Sequence, residues 1–113
     1  MNFEIYTEND TEIVVPLVRR LDASVALAFK QQVLEVIERN GNDVLLDFSR
    51  VDFIDSSCLG ALVSILKTIN GKGELVLCSL NDNIQQLFKL TRMDRIFTIG
   101  ATRQDALDIL ADR

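Results

Sequence analysis

Asp55-Ser56-Ser57-Cys58 places a carboxylate, two hydroxyls and a thiol side by side, just before an apolar run that begins at Leu59. Serine and aspartate are good helix N-caps, because a side-chain oxygen can accept from the free N–H groups of a first helical turn. One such residue suffices, and three are present. A serine nucleophile would need a base to take its proton. The chain has no histidine, which removes Ser-His-Asp catalysis and histidine-ligated metals. A thiol at a helix N-terminus can have a lowered pKa, so redox tuning at Cys58 is one reading and a small core filler the other.

Phosphate acceptance by one of the serines is the remaining chemistry. A phosphate at a helix N-terminus meets free N–H donors and the positive end of the helix dipole. The local gain is only about 0.3–1 kcal/mol at an exposed site. The modification also adds about −1.5 to −2 charges beside Asp52 and Asp55. Like charges brought together across a protein interface cost several kcal/mol. The interface term exceeds the local one, so such a site would switch binding and leave the fold intact.

The elements that must position these residues read as follows. FEIYT (3–7) alternates like a strand, and NDTE turns into a second strand, IVVPLV (13–18). Pro16 lacks an N–H, which predicts an edge position or a bulge for that strand. From Ser24 to Arg39, Val25, Phe29, Val33, Val36 and Ile37 recur at helical spacing, with Asp22 or Ser24 as cap and Asn40-Gly41 as stop. VLLDF (44–48) reads as a central strand. Leu59, Leu62, Val63, Leu66 and Ile69 form a second helical stripe that ends at Asn70-Gly71. ELVLC (74–78) is a buried strand, Ile84, Leu87 and Phe88 suggest a helix, and RIFTI (95–99) a last strand. A final helix starts at Thr102, with Ala106, Leu107 and Leu110 inward and Asp105 completing a capping box. Strands alternating with helices predict a single α/β domain over residues 1–113, with a mostly parallel central sheet of four to five strands and about four helices.

With 113 residues, 48% of them hydrophobic, the chain can bury a core without disulfides or metals. Cys58 and Cys78 show no metal or redox spacing and are expected to be reduced. A net charge of −5 argues against nucleic acid. No apolar run is long enough for a membrane span and no signal peptide opens the chain, so a cytoplasmic location without membrane contact is expected. Gly71-Lys72-Gly73 reads as a turn, not a phosphate-binding loop. A GxSxG elbow and a dinucleotide fingerprint are both missing, so no enzyme activity and no cofactor or metal are expected. An aspartate-phosphorylated receiver domain is a competing reading, because an Asp ends the VLLDF strand. It lacks the further acids after the first strand, and TIGATR lacks the lysine that this chemistry needs.

VLLDFSRVDFIDSSCLGALVSIL resembles the central motif of the STAS domain, the fold of bacterial anti-sigma factor antagonists. RRLDASVALAFKQQV is similar to that family's G-x-L-D entry into its first helix, and LVLCSLNDNIQQLFKLTRMDRIFTI to its C-terminal half. Cys58, Arg19 and Arg92 stand where the family has glycine. The resemblance implies a partner-switching protein, a monomer when free. Its unphosphorylated form would bind an anti-sigma factor that is also a serine kinase of the GHKL ATPase type. Phosphorylation of Ser56, with Ser57 as the alternative, would end the association, and a metal-dependent serine phosphatase would restore it. The implied docking surface comprises Leu21, Asp22, Ser24, Ile54, Asp55, Ser56, Ser57, Cys58 and Gly60, with the Asp22 loop beside the Ser56 loop. A non-switching STAS subunit of a lipid transporter or signalling scaffold is the alternative within the family.

Overall fold

The computed structural model describes residues 1–112. Strands β1 (Phe3–Glu8) and β2 (Thr11–Pro16) form an antiparallel hairpin. Asn9 and Asp10 both take positive φ, 52° and 62°, as a tight two-residue hairpin turn of the I′ kind requires. Strands β4 (Asp43–Asp47), β6 (Leu75–Cys78) and β7 (Thr98–Gly100) extend the sheet in parallel, in the order β1-β2-β4-β6-β7. β3 (Arg20–Leu21) and β5 (Phe53–Ile54) form a separate two-stranded parallel ribbon.

Helices α1 (Ala26–Asn40), α2 (Ser56–Ile69) and α3 (Asp82–Leu90) contribute Phe29, Leu62 and Phe88 to one core, against Val14, Val44, Leu46, Leu75 and Leu77 of the sheet. The alternate sheet residues Ile13, Val15, Leu45, Val76 and Cys78 face the other way, onto Ala106 and Leu110 of α4 (Arg103–Ala111). The period of two in the strands thus fills two cores with one sheet. This is the α/β fold expected: among the described residues a five-stranded, mostly parallel sheet lies between α1–α3 on one face and α4 on the other, with the two-stranded ribbon apart. Among the described residues no helix is long and apolar enough to cross a membrane.

Several local expectations are corrected. β2 is an interior strand, and Pro16 is its last residue. Pairing with β4 stops at Val14↔Leu46, so the missing Pro16 N–H removes no bond from that ladder. Neither Asp22 nor Ser24 caps α1, whose N-cap is Val25, without a side-chain bond. Asp22 instead folds a turn of its own, accepting from the Ser24 N–H at 3.0 Å. Gly41 ends α1 in the left-handed conformation, φ 64°, as foreseen. Thr102 caps α4 by accepting from the Asp105 N–H at 3.1 Å, and no return bond from Asp105 completes the box.

The strand expected at 95–99 is displaced. Met93–Arg95 form a 3₁₀ turn and β7 begins only at Thr98. Arg92 sits at φ 60°, a conformation that favours glycine, which explains the glycine of the family pattern at this position. The turn bonds from Arg95 N to Arg92 O (3.2 Å) and from Ile96 N to Met93 O (3.0 Å) take backbone groups that a strand would need. Phe97 then packs edge-on to Phe88 at 5.9 Å.

Gly100 ends β7 directly beneath α4. A Cβ there would lie 2.8 Å from the Ala106 nitrogen and 3.0 Å from its Cα. These are backbone atoms, so α4 itself must move. Gly100→Ala is expected to lower stability by about 1–3 kcal/mol, read as a lower urea midpoint with an unchanged slope.

Candidate functional site

The short ribbon β3·β5 brings two loops together. Leu21↔Ile54 is its last pair, and the chain then leaves β3 into the Asp22 turn and β5 into Asp55. The ribbon continues in the backbone: the Asp55 N–H donates to the Leu21 carbonyl at 3.2 Å. Asp55, in extended conformation, is the N-cap of α2, and its Oδ1 accepts from the Cys58 N–H at 3.2 Å. Its Oδ2 accepts from the Ala23 N–H, across on the other loop, at 3.0 Å.

Ser56 and Ser57 are the first two residues of α2. Both are exposed, and neither hydroxyl bonds to any described residue. The helix start therefore uses Asp55 and neither serine. Gly60, one turn on, is also exposed, with open space where a Cβ would stand. Asp22 is half-buried, and its Oδ1 accepts from both the Ser24 N–H and the Ser24 Oγ–H, the latter at 2.5 Å. These bonds hold its carboxyl below the usual value, helped by the Arg20 guanidinium 3.7 Å away.

Leu21, Ile54 and Cys58 lie inside the core. Their side chains support the surface from beneath. The exposed or half-exposed members are Asp22, Ser24, Asp55, Ser56, Ser57 and Gly60. Cys58 is fully buried, and its thiol is pushed up to about 12, by burial first and by the Asp55 carboxylate second. That is the reverse of the lowered pKa a redox cysteine needs, so the small-filler reading holds. Native protein at pH 8 is expected to leave Cys58 unalkylated by iodoacetamide while urea-unfolded protein labels fully. Native labelling at the rate of a free thiol would contradict this.

Sequence reasoning missed several residues around these loops. The Arg20 guanidinium stacks 4.3 Å over the Phe53 ring. Asn81 caps α3, accepting from the Ile84 N–H at 2.9 Å, and donates to the Asp52 carbonyl at 2.9 Å. A cleft of about 420 Å³ opens beside β5, with Phe53 and Ile54 on one wall and Ile84, Leu87 and Leu90 on the other. Arg19 pairs with Asp52 at 2.7 Å, but both side chains are exposed and such pairs contribute little.

Asp47, the residue a receiver reading would use, is buried. Its Oδ2 accepts from Arg103 Nε at 2.9 Å and pairs with Arg103 Nη2 at 2.8 Å, and its Oδ1 accepts from the Ser49 N–H at 2.9 Å. The carboxylate ties β4 to α4.

The family model of the STAS domain matches residues 2–106. The chain belongs to the STAS domain family. This STAS domain is 34% identical over 106 residues to a proposed anti-sigma factor antagonist of Thermotoga neapolitana, covering 92% of this chain and 93% of that protein. It is 33% identical over 103 residues to the anti-sigma-B factor antagonist of Listeria monocytogenes, covering 88% and 90%. The crystal structure of a proposed anti-sigma factor antagonist from Thermotoga maritima superposes with a TM-score of 0.83 at 29% identity, covering 96% of this STAS domain and 94% of that chain.

Proposed function

We propose that this STAS domain is an anti-sigma factor antagonist that works by partner switching, with Ser56 as the phosphoacceptor. One observation carries the proposal: two exposed hydroxyls without partners among the described residues stand at the start of a helix already capped by Asp55. They are surplus to the fold. The relatives of Thermotoga and Listeria are named as antagonists of anti-sigma factors and match across nearly the whole chain. Asp47 is engaged on both oxygens, which favours Ser56 over an aspartyl phosphate.

The partner is an anti-sigma factor with serine kinase activity of the GHKL ATPase type, which supplies ATP and Mg²⁺. The chain performs no catalytic step itself. Ser24, Asp22, Ser56, Ser57 and Gly60 offer the polar part of the docking surface, and the cleft beside Phe53 continues it with apolar area. Phosphorylation adds about −1.5 to −2 charges at a surface that already carries Asp22, Asp52 and Asp55, and the complex dissociates. A metal-dependent serine phosphatase resets the cycle.

The test is release by ATP. Immobilised wild-type chain with the kinase bound should free it when MgATP is added, whereas Ser56→Ala should retain it. Equal release from both would overturn the role of Ser56. Retention by both would leave a constitutive STAS scaffold.

A further inference from the structure

We infer that Asp55 is a positioning residue whose two carboxylate oxygens lock the Leu21–Val25 loop and the start of α2 into one docking surface. The inference rests on the reading of Ser56 as the switch and asks what its neighbour does for it.

Helix capping alone does not require an aspartate. Ser, Asn and Asp cap about equally well, and the Oδ1 bond to the Cys58 N–H, 3.2 Å, is all that α2 needs. The second oxygen is committed elsewhere, to the Ala23 N–H at 3.0 Å. Leu21 and Val25 anchor the two ends of the Ala23 loop in the core beside Ile54 and Cys58, and between them the Asp55 carboxylate holds the backbone. α1 begins without a side-chain cap, and the Asp22 carboxylate is occupied within its own turn by Ser24. The Asp55 N–H to Leu21 carbonyl bond is made two residues earlier in the chain. The Asp55 side chain thus extends the attachment by two residues and fixes where Asp22 and Ser24 stand relative to Ser56.

Only a carboxylate serves both N–H groups. Asparagine has one acceptor oxygen, and its NH₂ would oppose one of the two donors. Serine has a single oxygen on a shorter stem. Both still cap the helix. Asp55→Asn and Asp55→Ser therefore separate bridging from capping.

The experiment follows amide exchange by NMR in the free wild-type chain and in the two variants, together with the thermal midpoint. Affinity is then measured for the serine kinase used in the ATP-release assay. The expected result is a thermal midpoint lowered by only a few degrees, about what one such bond is worth, with Cys58 protection retained and Ala23 exchange about tenfold faster in both variants. Kinase affinity should fall about tenfold, the scale of one lost charge-assisted hydrogen bond. Ala23 exchange at the wild-type rate in Asp55→Asn would overturn the bridge. Faster Ala23 exchange with unchanged affinity would overturn the positioning role. If wild-type chain binds no such kinase, the Ser56 reading fails and the docking role with it, while the Ala23 rate still decides the bridge.

Discussion

Ser56→Asp is expected to bind the kinase about a hundredfold more weakly than Ser56→Ala, with both variants as stable as the wild type. Stability should not change, because the Ser56 side chain is exposed and has no partner among the described residues. The affinity loss has its origin in charge. A carboxylate at position 56 would stand next to Asp55 and near Asp22, and a partner built to meet this surface would face a further negative group as it desolvates. A carboxylate carries less charge than phosphate, about −1 against −1.5 to −2, and fewer acceptor oxygens. True phosphoserine should therefore exceed the mimic. The electrostatic origin gives a second readout: the gap between the two variants should narrow as salt shortens the screening length. Titration calorimetry at low and high salt measures both. A gap that does not respond to salt would point to a steric cause.

The largest stability effect is expected at the other face of the sheet. Arg103→Leu should cost about 2–3 kcal/mol, since breaking a buried pair leaves the other charge uncompensated and solvent around the guanidinium trims the loss. Asp47 is 2% exposed, whereas the Arg103 side chain is 41% exposed. After the change Asp47 would keep its Ser49 N–H donor and the neighbouring Cys78 thiol, but no cation, in an apolar setting. α4 would also lose its ionic link to β4, though not the packing of Ala106 against that face, and the guanidinium that lies 5.6 Å over Tyr6. Asp47→Leu combined with Arg103→Leu should recover part of the loss, because no charge is then left buried. Urea unfolding of the two variants checks this. A single variant as stable as the wild type would show that Asp47 finds another donor.

The layered architecture was legible wherever a repeat ran long enough. Phe29, Val33, Val36 and Ile37 announced α1 by their helical period, and the short apolar run 44–48 between turn residues announced β4, because a strand buried on both faces is apolar throughout. The ribbon of Arg20–Leu21 with Phe53–Ile54 was not legible, since two residues carry no period. Its effect is the contact that matters most here, the Asp22 loop against the Asp55 loop. The start of α1 was misplaced because Asp22 and Ser24 are cap-forming types that bond to each other in a turn instead. The last strand slipped because Arg92 adopts a left-handed conformation that its side chain does not advertise. The motif Asp55-Ser56-Ser57 pointed to the candidate site, but not to which residue caps the helix. Backbone geometry gives the cap to Asp55 and frees both serines, whereas the sequence offered the helix start to Ser57 as well.

Incubation of the purified chain with its kinase and MgATP, followed by mass mapping of the tryptic peptide that begins at Val51, tests the central claim most directly. Cleavage after Arg50 and Lys67 places Ser56 and Ser57 in one peptide with Ser64, and fragment ions that separate the three positions assign the phosphate. The account predicts one phosphate, on Ser56, and none in Ser56→Ala. Phosphate on Ser57 with Ser56 unmodified, or a peptide that stays unmodified while the kinase remains bound, would contradict it.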